Sequence, residues 1–342
     1  MGALRAALEA RGHQTRLVTK LESGERGVHG PDDRVRRCRK IIQEFRPDAC
    51  HFHNTLAMGW SPLVAAKKES VRNLVWTMHD YRAVCPNTLL LRPDLNICDD
   101  LHWCGSCVAL PKLPHYDLDR IRKKLQGVKI AAISDAQRRL VEPHLPVTAT
   151  IHWDADAGLL AAPEAPDGKP LTVLFAGRKD VEKGFDFCLQ AVKRLSGRHP
   201  GIRLHLAGRS RFGDERQRID ALGLGKQVID HGALPHDRYL EMLRNVQVVV
   251  CASVWAEPFN LSLLEAMACG KPVIATRSGA HGELAGDGGA VLADPRSSAS
   301  LMNAMETLFA DADLRRDLAR RAREQATRFT GCTEKYLRLY RE

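Results

Sequence analysis

Glu257 and Glu265 bracket the stretch of this 342-residue chain best equipped for chemistry. The run Glu257-Pro-Phe-Asn-Leu-Ser-Leu-Leu-Glu265-Ala-Met-Ala-Cys-Gly270-Lys-Pro-Val-Ile-Ala275 reads as loop, helix, glycine stop and strand. Glu257 would lie in the loop after a strand ending near Cys251, the end at which parallel sheets bind ligands. Glu265 would lie one to two turns inside the helix. A carboxylate there can accept hydrogen bonds from both hydroxyls of a ribose, at roughly 1.5–3 kcal/mol each. The spacing alone is weak, because two such glutamates also suit a solvated helix.

A second cluster strengthens it. The run Thr172 to Ala176 leads into Gly177-Arg178-Lys-Asp-Val-Glu-Lys183-Gly184 and then a helix with Phe185, Leu189 and Val192 on one side. Arg178 and Lys183 flank that helix start. A helix N-terminus supplies N–H donors and partial positive charge, arginine a planar fork and lysine a compact charge, which together suit a diphosphate. In the first half, Leu74-Val-Trp-Thr-Met78-His79-Asp80-Tyr81 ends a strand in a polar cluster, with His79 expected to project into a cleft. His51-Phe-His53-Asn54 ends the preceding strand and is a weaker candidate for acceptor contact.

The elements that must hold these residues alternate. Short apolar runs separated by helical patterns predict parallel sheets with crossover helices. Expected strands are Thr15–Thr19, Asp48–Phe52, Leu74–Met78 and Lys129–Ile133 in the first half. In the second half they are Thr172–Ala176, Arg203–Ala207, Gln227–Ile229, Gln247–Cys251 and Pro272–Thr276. The segment Ala155–Pro170, rich in Ala, Pro, Gly and Asp, reads as the interdomain linker. Residues 1–158 and 159–342 are thus expected as two domains, with the last helix, about 330–342, packing back on the first. Met1 falls inside what should be a first helix, so the usual first strand of the first domain is expected to be lacking, through a misplaced start or a truncated gene.

Together these segments resemble the retaining glycosyltransferases of family 4, with the GT-B fold. The resemblance is dense from Leu171 to Pro295 and looser before it. It includes Leu206-Ala-Gly-Arg209, His231-Gly-Ala-Leu-Pro235, Ser278-Gly-Ala-His-Gly-Glu283 and Gly288-Gly-Ala-Val-Leu-Ala-Asp294-Pro. It implies an α/β protein of two Rossmann-like domains facing a cleft, moving a hexose from a nucleotide diphosphate sugar to a hydroxyl of a glycan, lipid-linked or small-molecule acceptor. By the same resemblance His79 and Glu257 are catalytic, Arg178 and Lys183 hold the donor diphosphate, Glu265 holds the ribose, and Asn260 and Leu261 also bind donor. Asn260 stands where the family has glycine. The family's Asn-Gly-hydrophobic-Asp segment is replaced by His152-Trp-Asp-Ala-Asp156. No cofactor is expected, and no Asp-x-Asp segment is read as a metal site. A catalytically impaired nucleotide-sugar-binding or scaffold protein of the same fold is the alternative.

Composition bounds the rest. The net charge of +10 lies mostly in residues 1–150, where 24 Lys+Arg oppose 16 Asp+Glu. Nucleic acid is nevertheless not expected as a partner, because no recognition helix or zinc-finger spacing is present. A nicotinamide dehydrogenase is disfavoured, because no Gly-x-Gly-x-x-Gly follows a strand. No secretory signal is read at the start, so the ten cysteines are expected reduced in the cytoplasm. Cys85, Cys98, Cys104 and Cys107 end in a Cys-x2-Cys that is half a zinc site, with reduced packing cysteines the favoured reading. Basic residues of Asp33–Phe45 and Arg122-Lys-Lys124 suggest peripheral contact with an anionic inner leaflet, where lipid-linked acceptors sit.

Overall fold

In the computed structural model the described residues are 2–19, 22, 30–53, 59–98, 117–161 and 171–342. These described residues fall into two compact units, one from those within 2–88, 117–152 and 331–342, the other from those within 89–98 and 153–330.

The first unit is built on a parallel sheet of β1 (Ala49–Phe52), β2 (Asn73–Thr77), β3 (Lys129–Ala132) and β4 (Val147–Thr150), in that spatial order. β1 and β2 run in register, Phe52 beside Trp76, so both strands end at the same level. Leu4, Val75, Ala131, Ile151, Cys332, Tyr336 and Leu339 form one buried cluster, in which the helices Gly2–Glu9 and Cys332–Arg341 cover the sheet. The exposed ion pair of Arg11 with Glu334, at 2.7 Å, lies beside it.

Two sequence expectations are corrected here. Thr15–Thr19 is not a strand: residues 13–19 have no regular structure, and Leu17 is 45% exposed. An isolated apolar and polar alternation makes a strand only where a neighbour covers its apolar side and pairs its amides, and no described strand does so. Of the expected linker, residues 162–170 lie outside the described residues, but Ala157–Leu160 is a helix whose first amides, Gly158 and Leu159, are capped by Asp156.

The second unit has six parallel strands, ordered β10-β9-β8-β5-β6-β7, spanning Thr172–Ala176 (β5), Arg203–Ala207 (β6), Val228–Asp230 (β7), Val248–Cys251 (β8), Val273–Thr276 (β9) and Val291–Ala293 (β10). β8 and β9 are buried along their whole length, as expected for apolar runs covered on both faces. Val173, Phe175, Phe185, Leu189, Val248 and Val250 lie in the main core, where truncating any one to alanine would cost about 2–5 kcal/mol. Among the described residues no helix is long and apolar enough to cross a membrane.

Candidate active site

The carboxyl ends of β5 and β8 meet through a close backbone approach. Gly184, at φ 71°, follows the 3-10 turn Val181–Lys183 and starts the helix Phe185–Ser196. A Cβ there would lie 1.9 Å from the Ala252 carbonyl oxygen, so only glycine lets this turn seat against the loop after β8. The Val254 amide donates to the Glu182 carbonyl at 2.9 Å, fixing the same contact. Gly279, at φ 55°, does the equivalent from β9, its α-carbon lying over the Glu257 backbone while the Ala280 amide donates to the Glu257 carbonyl.

This framework closes an ion pair. Lys183 Nζ donates to both oxygens of Glu257, at 3.0 and 2.8 Å. Ser253 Oγ and Trp255 Nε1 donate to Glu257 Oε2 at 2.7 and 2.8 Å. Glu257 is only 2% exposed. Burial raises its pKa, but the Lys183 charge, a smaller effect of His281 and the hydrogen bonds from Lys183 and Ser253 outweigh it and hold the carboxyl below its ordinary value. The site therefore presents a buried carboxylate that stays ionised.

Asn260 is built into the start of the next helix. It precedes the helix Leu261–Ala268, its Oδ1 accepting the Leu263 amide at 3.1 Å as an N-cap. Its Nδ2 lies 2.9 Å from His281 Nε2, and His281 Nδ1 lies 3.0 Å from the Thr276 carbonyl oxygen. A carbonyl only accepts, so the His281 proton sits on Nδ1 and Nε2 accepts from Asn260. Burial holds His281 at about 4 and hence neutral at pH 7. Asn260 thus locks the start of the helix to a buried histidine, while Leu261, the first helical residue, is 48% exposed.

Glu265 lies one turn further along, its side chain 22% exposed and 3.8 Å from His236 Nε2. Burial raises its carboxyl pKa; His236 opposes and Asp156 reinforces the rise. The Asp154-Ala-Asp156 segment is an Asp-x-Asp in composition, but Asp156 caps the helix Ala157–Leu160. Arg178 is paired with Glu182 and Asp180, carboxylates it shares with Arg211. Its neighbour Lys179 is buried against Asp230 and Glu215.

In the first unit, β1 and β2 bring three imidazoles into a stack at their carboxyl ends. His51 and His53 have ring centroids 4.0 Å apart, His53 and His79 5.3 Å apart. His53 Nδ1 and His79 Nε2 share a hydrogen bond of 3.1 Å. His51 bridges Tyr340 OH and Thr77 Oγ1 at 2.7 Å each, and Thr77 continues to Tyr336 OH at 2.8 Å. Burial depresses all three histidines, His53 to about 3 and His79 to about 4, with His51 well below its ordinary value. His79 is therefore neutral at pH 7. Asn54, Cys104 and Cys107 lie outside the described residues, while Cys85 is buried with its thiol 2.9 Å from Asn87 Oδ1.

Residues 159–325 match the family model described as Glycosyl transferases group 1. A glycogen synthase of Mycobacterium tuberculosis is 27% identical over 355 residues, an alignment spanning 95% of this chain and 84% of that protein. The chain is a glycosyltransferase. A D-inositol 3-phosphate glycosyltransferase of Acidothermus cellulolyticus is 34% identical over 183 residues, 50% of this chain and 40% of that protein. Among solved structures, the sucrose-phosphate synthase of Thermosynechococcus elongatus superposes with a TM-score of 0.72 at 19% identity, covering 91% of this chain and 77% of that one. The Anabaena protein Alr3699/HepE, solved with UDP-glucose, gives 0.69 at 19% identity over 99% of this chain and 88% of that one. These likenesses give the glycosyltransferase its fold, GT-B with two Rossmann-like α/β domains.

Sequence reasoning gave no role to Ser253 or His281, and named Trp255 only as a residue that tunes donor choice. Each is defined by a partner brought in by folding. The only trace in the chain is a Ser-x-Trp-x-Glu spacing in a loop, which propensity and periodicity do not flag.

Proposed function

We propose that this glycosyltransferase moves a hexose from a nucleotide diphosphate sugar to an acceptor hydroxyl, with retention and without a divalent metal at the donor phosphates. The Lys183–Glu257 pair carries this reading: a cation at a helix start and an ionised carboxylate are held side by side at the carboxyl ends of β5 and β8, where open sheets bind ligands. Lys183 and Arg178 take the diphosphate, aided by the start of the helix Phe185–Ser196. Glu265 takes the ribose, Glu257 and His79 contact the sugar, and Asn260 and Leu261 border the donor. The bond from the anomeric carbon to the diphosphate oxygen breaks, and a bond to the acceptor oxygen forms on the same face. The acceptor proton passes to the departing phosphate, so no protein nucleophile is required. His79, being neutral, contributes hydrogen-bonding polarity to this step and no charge.

The acceptor belongs to the class of glycan, lipid-linked or small hydroxyl compounds, and the protein works in the cytoplasm with peripheral membrane contact. Lys67, Lys68, Arg120, Lys123 and Lys124 surround a hollow of about 420 Å³, which supports docking to an anionic leaflet. Thermal-shift measurements against UDP-, GDP- and ADP-sugars test the central reading, since a ligand at 100 times its Kd adds about 2.7 kcal/mol. A stabilising donor that is turned over in the presence of EDTA is the expected result. No shift with any of them would defeat the proposal, and binding without transfer to any acceptor would favour an impaired enzyme of the same fold.

A further inference from the structure

Trp255 touches both charged groups of that pair. It is 6% exposed, its indole N–H donates to Glu257 Oε2 at 2.8 Å, and Lys183 Nζ sits 5.2 Å from the centroid of its ring. The two parts of an indole match the two partners: a polar N–H edge for an anion and an electron-rich face for a cation. Ser253 adds a second neutral donor to the same oxygen. The loop that carries both is pinned from β9 and the turn after it, by Thr276 Oγ1 donating to the Ser253 carbonyl at 2.6 Å and by the Ser278 hydroxyl donating to the Trp255 carbonyl.

We infer that Trp255, assisted by Ser253, is a positioning residue that keeps the Glu257 carboxylate ionised and aimed and holds Lys183 beside it. This rests on the reading of Glu257 and Lys183 as donor-site residues. Packing alone does not require the nitrogen. An apolar ring of the same shape would fill the space, but it would leave a carboxylate that is 2% exposed short of a donor, and a buried anion losing a hydrogen bond is destabilised relative to its protonated form. The titratable groups facing Glu257 are Lys183 from the 3-10 turn, His281 from the helix His281–Ala285 and Cys251 from β8. His281 is held at about 4 and Cys251 is pushed up to about 12, both by burial, so neither brings a charge to Glu257 near neutral pH.

The test replaces Trp255 in the full chain by benzothienylalanine, an isostere with sulfur in place of the ring N–H, alongside Ser253→Ala. Carbon-13-labelled glutamate reports the Glu257 carboxyl, assigned by its loss in Glu257→Gln. Removing a donor from the anion raises its pKa, so protonation of Glu257 is expected to begin at higher pH in both variants. Turnover is expected to fall roughly tenfold in the isostere, with donor KM changed less than about threefold, the scale of one charge-assisted hydrogen bond. Unchanged carboxyl titration in both variants would overturn the inference, as would wild-type turnover in the isostere. If the wild-type chain neither binds nor turns over a donor, the functional reading fails on its own, and the ligand-free titration still decides the role of Trp255.

Discussion

At the ends of β1 and β2 the protein gathers three neutral imidazoles, two tyrosines and a threonine; at the ends of β5 and β8 it closes a lysine on a glutamate. Both clusters are withdrawn from solvent, yet they handle desolvation in opposite ways. In the first, burial outweighs everything else and drives the histidines to the uncharged form. The second keeps both charges because each supplies the counter-charge of the other and hydroxyl and indole donors complete the carboxylate. One region should therefore respond to pH and the other to loss of a charge.

The largest effect is expected from breaking the pair. Lys183→Ala leaves Glu257 buried without its cation, at a cost of about 3–5 kcal/mol in denaturant unfolding. The same variant should lower turnover roughly tenfold to a thousandfold. Adding Glu257→Gln should recover part of the lost stability without recovering activity. A Lys183→Ala protein as stable and active as wild type would remove the contrast between the two regions.

The histidine cluster predicts a next, smaller effect. His51, His53 and His79 have pKa values lowered in the folded state, so between pH 6.5 and about 4 the unfolded chain binds protons that the folded chain does not. Their stabilising contribution is complete above about pH 6.5 and is lost as pH falls through that window, by at most about 3 kcal/mol for His79. The second unit carries His281 and His205 as its lowered histidines, while Glu257 loses its contribution only at lower pH. Hydrogen exchange at about pH 5.5 against about pH 7.5 should show β1 and β2 losing protection before β8 and β9. Equal loss in both sheets would show that the imidazole stack does not set the acid response.

The smallest effect sharpens the same comparison. Tyr340→Phe removes the hydroxyl bonded to His51 and should cost about 1 kcal/mol in chemical denaturation, leaving the Lys183–Glu257 site untouched. Wild-type stability in this variant would show that the Tyr340–His51 hydrogen bond contributes nothing to the cluster.

Much of the fold was legible in particular runs. Thr172–Ala176, Gln247–Cys251 and Pro272–Thr276 are apolar runs bounded by polar or turn residues, and the corresponding strands β5, β8 and β9 lie within or along them. Val147–Thr150 and Val291–Ala293 are strands that the sequence reading did not assign. Thr15–Thr19 shows the reverse error, since a strand-like pattern without a partner stays coil. Lys183 and Glu257 were placed at strand and helix ends by sequence, and folding brings these two side chains together. The use of Asn260 as cap and histidine partner was not legible, although the Asn-x-x-Leu spacing before an apolar run suits an N-cap.

The sequence by itself determined the alternation of strands and helices, the glycine turns and the residues that carry charge, because these follow from local spacing and from chemistry written in each side chain. Tertiary structure alone decided which charges meet. Lys183 and Glu257 are 74 positions apart and His51 and Tyr340 are 289 apart, and no local pattern encodes such pairings. It also decided that His79 is neutral and Glu257 ionised, since protonation follows from burial and from the partners that folding delivers.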